Sequence, residues 1–325
     1  MRIWVAGHNG MVGSAIVRQL EHRSDIVLKV DRAVVDLRNQ IAIELWLKQN
    51  RPDAIIFCAA KVGGILANEG EAADFIYDNL TIATNVIHSA HIAGVDRLVF
   101  LGSSCVYPKS APQPIKEDSL LTDTLEPTNE FYSIAKIAGI KLCQAYRKQH
   151  SRNYISVIPC NLYGPNDNFD LKTGHVAPGL IARFHQAKVE RRIEIVVWGT
   201  GTPLREFMHV DDLARGVVSC LDSYNGYEPI NCGTSAEISI SALAEVIDRA
   251  VGFEGKVVYD ASKPDGVSRK IMDSTRIRSL GWKPRISLEE GIATTYQWFL
   301  ENHPLSYVDS ASPSVGDDYG FRWTM

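Results

Sequence analysis

The chain has 325 residues, 45% of them hydrophobic, and 34 basic against 38 acidic side chains give a formal net charge of −4. That length supports a large core and ordinarily divides into two domains. The charge balance gives no case for a nucleic-acid partner, and no segment approaches the roughly 18 uninterrupted apolar residues of a membrane span.

Residues Arg2 to Ala6 form a short apolar, partly β-branched run suited to a buried parallel strand. Gly7, Gly10 and Gly13 follow, and Ser14 to Glu21 repeats apolar residues at helical spacing. In such a junction Gly7 permits the tight turn, Gly10 lets the backbone approach a pyrophosphate, and Gly13 allows close helix–strand packing. Amides at the helix N-terminus would hold the phosphates. The first glycine gap is one residue wider than in the common dinucleotide fingerprint, and an ordinary strand–helix turn would show the same glycines.

A second strand over Ile26 to Val30 ends at Asp31-Arg32. An acidic residue there takes the ribose 2′-hydroxyl of NAD, whereas an arginine accommodates the 2′-phosphate of NADP. The sequence offers both, and a solvated charge pair is the bland alternative for one of them. Ala54 to Cys58 reads as a third strand, Asp74 to Ala93 as a long helix, and Arg97 to Leu101 as a fourth strand. Asn129 to His150 is a further helix with Thr128 or Asn129 as N-cap, and Tyr154 to Ile158 a fifth strand. This alternation predicts an α/β fold, a doubly wound parallel sheet with ligands beyond the carboxyl ends of its strands.

Past Tyr163-Gly-Pro165 the pattern loosens. A helix from His175, a strand over Ile193 to Trp198, and helices over Val210 to Leu221, Ser239 to Val251 and Leu288 to Leu300 make a smaller second α/β region. The boundary is set at residues 1–163 and 164–325, with later contributions to the first domain from about 194–232. The tail after Pro304 has no periodicity and is expected to drape over the surface.

Six cysteines (58, 105, 143, 160, 220 and 232) show no CxxC or metal spacing, and the histidines share none, so no metal is assigned. Reduced core thiols and a start without a signal peptide's apolar stretch point to the cytoplasm. Tyr132 and Lys136 stand four residues apart on one helix face, where the ammonium would favour the phenolate and ready the tyrosine for proton transfer. Ser103 and Cys105 follow the fourth strand, where a doubly wound sheet binds its ligands.

The chain resembles the extended short-chain dehydrogenase/reductases, and within them the GDP-4-keto-sugar epimerase/reductases. The resemblance rests on Gly7-His-Asn-Gly10-Met-Val-Gly13, Ala59-Ala-Lys-Val-Gly-Gly-Ile65, Leu101-Gly-Ser-Ser-Cys-Val-Tyr-Pro108 and Glu126-Pro-Thr-Asn-Glu130. It continues through Tyr132-Ser-Ile-Ala-Lys136, Asn161-Leu-Tyr-Gly-Pro165, His175-Val-Ala-Pro178, Trp198-Gly-Thr-Gly and Arg205-Glu-Phe-Met-His-Val-Asp-Asp212, and so spans nearly the whole chain.

The resemblance implies NADPH-dependent epimerisation at C3 and C5 and reduction at C4 of GDP-4-keto-6-deoxy-D-mannose. Tyr132 is then the general acid, Lys136 binds the nicotinamide ribose, Ser103 holds the substrate oxygen, and Cys105 with His175 forms the epimerisation pair. The implied cofactor site comprises Gly7, Asn9, Gly10, Met11, Val12 and Gly13, then Asp31, Arg32, Asp36 and Leu37. It continues with Leu101, Gly102, Ser103, Ser104, Tyr132, Lys136, Pro159, Cys160, Asn161, Leu162 and His175. Arg183, Trp198, Arg205, Asp265 and Lys270 are the implied GDP-sugar contacts.

One departure stands in the first loop. Family members commonly carry an arginine near the 2′-phosphate where this chain has Asn9, yet Arg32 matches a phosphate-binding arginine, so NADP(H) is the expected cofactor. The resemblance also implies a homodimer through the helices 74–93 and 129–150. It leaves open a colitose-type reductase and a non-reducing GDP-sugar epimerase. Bland readings stand beside these roles: Cys105 as a packed small hydrophobe, His175 as a helix cap, Trp198 as a core aromatic, and Pro264-Asp-Gly266 as a turn.

Overall fold

In chain order the elements of this computed structural model begin with β1 (Arg2–Ala6), α1 (Met11–Glu21), β2 (Ile26–Leu28), α2 (Gln40–Asn50), β3 (Ala54–Phe57) and α3 (Ile65–Gly70). They continue with α4 (Ala72–Ile92), β4 (Arg97–Leu101), α5 (Glu130–His150), β5 (Asn153–Pro159), β6 (Asn161–Tyr163), α6 (Val176–Val189) and β7 (Glu194–Trp198). Then come β8 (Leu204–Arg205), β9 (Phe207–His209), α7 (Val210–Ser223), β10 (Ile230–Cys232), β11 (Ile238–Ser239), α8 (Ile240–Val251), β12 (Lys256–Asp260), β13 (Arg269–Lys270), α9 (Thr275–Arg278) and α10 (Leu288–Asn302). The described residues are 1–171, 173–263 and 265–303, so the tail after Pro304 lies outside them.

Six strands form one parallel sheet in the order β10-β5-β4-β3-β1-β2. Its central strands are continuous apolar runs because helices cover both faces. Ile3, Trp4, Ile55, Ile56, Leu98 and Val99 are fully buried, and each stabilises the fold by roughly 1.5–3 kcal/mol through burial. The chain runs outward from β1 to β2 and back past β1 to β3, so the order reverses between β1 and β3. That reversal opens a crevice at the carboxyl ends of these two strands.

α7 and β10 return from the second half to complete this sheet, and Arg18 on α1 meets Asp211 on α7 at 2.5 Å. The second unit has its own core, with Phe184, Val197, Leu243, Ile247, Ile292 and Phe299 fully buried. There β7 pairs with β12, β6 pairs with β9, and β8 lies between β11 and β13. The units are laced together at Asn231, at the end of the sheet. Its side chain accepts from the Tyr107 hydroxyl at 2.6 Å and donates to the carbonyls of Ile115 and Asp273 at 3.0 and 3.1 Å.

Two local differences from the sequence reading have physical causes. β2 stops at Leu28 rather than Val30, where the chain bends into the polar turn around Asp31. Asn129 takes the N-cap position of α5 without capping through its side chain, which instead accepts from the Ser133 hydroxyl at 3.3 Å.

Candidate active site

A cavity of about 1030 Å³ opens at the β1–β3 crevice. Its floor is the first glycine loop. Gly7 has φ +91°, and a Cβ there would lie 2.7 Å from the backbone nitrogen of Ala59, so the loops after β1 and β3 meet without room for a side chain. A Cβ on Gly13 would sit 2.1 Å from the Gly7 carbonyl oxygen. Gly10 caps α1 with no side-chain bond, leaving the first amides of the helix for an anion. The bare cradle and a cavity of this size fit a dinucleotide.

Of the expected cofactor residues, Gly7, Asn9, Gly10, Met11, Val12, Gly13, Arg32, Asp36, Leu37, Leu101, Gly102, Ser103, Tyr132, Lys136, Pro159, Cys160, Leu162 and His175 line this cavity. Asp31, Ser104 and Asn161 do not. Ser104 is buried in the turn after β4, and Asn161 donates to the Glu206 carbonyl at 2.9 Å. Asp31 stands at the rim, where its carboxylate accepts from Asn9 Nδ2 at 2.8 Å and lies 3.5 Å from His8 Nε2.

At the other end, Cys105 Sγ donates to Ser103 Oγ at 3.1 Å, and the Ser103 hydroxyl is hydrogen-bonded to the Tyr132 phenol. Burial, with the Cys105 charge adding to it, pushes the phenol's pKa up, against the expectation that Lys136 would favour phenolate. Lys136 is itself buried, with its pKa pushed down to about 8, and its ammonium donates to the Leu101 carbonyl at 2.8 Å. The protein alone therefore keeps Tyr132 protonated, the form a carbonyl reduction consumes. His175 precedes α6 and faces the open space of the cavity, and the protein packed around it lowers its pKa.

Among the expected sugar contacts, Arg205 and Lys270 are register partners on β8 and β13. Burial holds Lys270 at about 8 and Arg205 at about 10. Asp265 accepts from the backbone and hydroxyl of Thr200 at 2.6 and 2.7 Å, tying down the loop after Trp198. Lys263 lies 4.6 Å above the Trp198 ring, and Arg183 donates to the Val196 carbonyl at 3.0 Å. None of these five lines the dinucleotide cavity described here.

Further walls come from residues that carried no assignment. His8, Arg38, Lys61, Asp78, Asn166 and Asn168 line the same cavity. Lys61 belongs to the Ala59-to-Ile65 run directly after β3, a position that the crevice rule singles out. Asn79 fixes that loop by bonding both the amide and the carbonyl of Lys61 at 2.9 Å. Among the described residues no group of three or more His, Cys, Asp or Glu could hold a metal ion, and no helix is long and apolar enough to cross a membrane.

The profile of the NAD dependent epimerase/dehydratase family matches residues 3–233. GDP-L-fucose synthase 1 of Arabidopsis thaliana is 57% identical over 303 residues, covering 93% of this chain and 94% of that protein. GDP-L-fucose synthase of Escherichia coli (strain K12) is 51% identical over 311 residues, with 93% and 97% covered. Among solved structures, a GDP-L-fucose synthetase from Naegleria fowleri bound to NADP superposes with a TM-score of 0.87 at 31% identity, covering 94% of each chain. The cofactor class is thus a nicotinamide dinucleotide, and the chain belongs to the NAD dependent epimerase/dehydratase family, within its GDP-L-fucose synthase branch.

Proposed function

We propose that this chain epimerises C3 and C5 and reduces C4 of GDP-4-keto-6-deoxy-D-mannose, giving GDP-L-fucose. The observation that carries the proposal is the linked set Tyr132–Ser103–Cys105 at the edge of a dinucleotide cavity that His175 and Lys136 also line. In this reading the six-stranded unit, residues 1–163 with α7 and β10, holds the cofactor, and the second unit holds the GDP-sugar.

A 4-keto group acidifies the protons on C3 and C5, because the resulting carbanion delocalises into an enolate. Cys105 and His175 form the acid–base pair: one removes the carbon-bound proton and the other returns one on the opposite face. Ser103 and Tyr132 donate hydrogen bonds to O4 and stabilise the enolate oxygen. A reduced nicotinamide held in the cavity would supply the hydride to C4. Tyr132 gives its phenolic proton to O4, and Lys136 would hold the nicotinamide ribose. Arg183, Arg205 and Lys270 meet the diphosphate charge, and Trp198 packs on the base or sugar.

The NADP-bound relative supports NADPH as a hydride source that the cavity accepts. The chain works as a homodimer through α4 and α5, which leave the apolar Ile92, Phe131 and Ile134 exposed, and its six free thiols suit the reducing cytoplasm. The test is incubation with GDP-4-keto-6-deoxy-D-mannose and reduced nicotinamide, with product stereochemistry read by NMR. GDP-L-fucose is expected; unchanged keto sugar, or a product reduced without inversion at C3 and C5, overturns the reading.

A further inference from the structure

We infer that the adenosine end of this site is built for a ribose with a free 2′-hydroxyl, so that the chain prefers NADH to NADPH, with Asp31 and Asn9 setting the preference. The inference rests on the dinucleotide reading of the cavity but not on the identity of the sugar.

A 2′-phosphate carries roughly −1.5 to −2 charges at neutral pH and requires cations with uncommitted donors. This chain presents the opposite. The carboxylate of Asp31 stands just past β2, tied to the glycine loop by the Asn9 amide at 2.8 Å and approached by His8 Nε2 at 3.5 Å. Asn9 spends one N–H of its amide on Asp31, whose carboxylate keeps further lone pairs that can accept. A ribose hydroxyl donates to such a carboxylate, whereas a largely dianionic phosphate is repelled by it.

The cations along this wall are already matched. The guanidinium of Arg38 engages Asp36 at 2.7–3.2 Å and reaches Asp78 at 3.4 Å, and that pairing pulls the Asp36 carboxyl down to about 2. Lys61 lies 2.7 Å from Glu71 and 3.7 Å from Asp74. Arg32, the residue expected to read a 2′-phosphate, is 74% exposed and lies 3.8 Å from Asp36. Along the wall Asp36, Asp74 and Asp78 balance Arg32, Arg38 and Lys61, and Asp31 at the rim makes this end net negative. The residues present do not fit a 2′-phosphate as well as they fit a hydroxyl, and the expected preference for NADP(H) is reversed.

The test is a titration of the purified protein with NADH and with NADPH, followed by nicotinamide fluorescence without any sugar. NADH should bind about tenfold or more tightly, the size of one charged hydrogen bond gained against one repulsion avoided. Asp31→Asn should shrink that ratio severalfold, and Asn9→Arg combined with Asp31→Ser should invert it. Asp31 is 66% exposed, so these replacements open no core cavity. Tighter NADPH binding by the unaltered chain, equal binding of the two, or a ratio unmoved by Asp31→Asn overturns the inference. A chain that binds NADH more tightly yet turns over no GDP-4-keto sugar with either cofactor supports the inference and overturns only the proposed activity.

Discussion

The ammonium of Lys136 donates to the carbonyl oxygen of Leu101 at 2.8 Å, which pins the middle of α5 to the end of β4. The bond holds a charge in a place that burial makes unfavourable, and this has a signature in the pH dependence of stability. The folded pKa of about 8 lies below the usual value of 10.5, so between these values the unfolded chain binds more protons. Stability of the protein without cofactor should therefore rise as pH climbs from 8 to 10.5, by roughly 1–3 kcal/mol from this group. Lys270 adds a rise of the same sign, since burial holds it at about 8 as well. Denaturant melts of the unaltered chain and of Lys136→Met test the point: the difference between them must change across that window, and a constant difference would remove Lys136 as a cause.

Tyr132→Phe should abolish reduction while leaving dinucleotide binding within about twofold, because the ring stays and only the transferable proton goes. Loss of one acid–base group costs ~10²–10⁴-fold. Cofactor oxidation in the presence of keto sugar measures the first, and fluorescence titration the second. Near-normal turnover would take Tyr132 out of the mechanism.

Cys105→Ser separates the two chemistries. Deuterium exchange at C3 and C5, read by NMR without reduced cofactor, should fall by at least the ~10²–10⁴-fold of an acid–base group, since a hydroxyl is a far weaker base than a thiolate. Some direct reduction should persist and give an unepimerised 6-deoxy sugar. Exchange at the unaltered rate would reduce Cys105 to a packed side chain.

The glycine loop gives a paired prediction. In Gly13→Ala the new methyl would meet backbone at 2.1 Å, with no flexible neighbour to yield, so a loss of about 2–3 kcal/mol in stability is expected together with weak cofactor binding. In Gly10→Ala the nearest atom lies 3.6 Å away, an ordinary contact, so stability should hold while the pyrophosphate is obstructed. Thermal melts beside the fluorescence titration separate the two, and equal destabilisation would refute the distinction.

The strands of the large sheet were legible because buried parallel strands are nearly unbroken apolar runs, as in Arg2–Ala6 and Arg97–Leu101. α2 was not. It buries Ile43 and Leu47 but exposes Ile41 and Leu45, so its apolar residues give no single stripe. The grouping of Ser103, Cys105 and Tyr132 could be read from residue types just after β4 and on α5. Their electrostatics could not, since burial, which residue types do not show, pushes the Tyr132 pKa up and the Lys136 pKa down. The pairing of Arg205 with Lys270 was beyond reach, because two-residue strands have no period and the partners are distant in sequence. Likewise the sequence supplied Asp31, Asn9 and Arg32 as rivals, and only distances rank them.

Asn231 ties the segment after Cys105 to the second unit. The segment that carries Cys105 away from β4 passes Tyr107, Ile115 and Glu117, and each of these is bonded to Asn231. Asn231 in turn is anchored at Asp273. The turn that bears Cys105 thus depends on one buried side chain for its tie to the second unit.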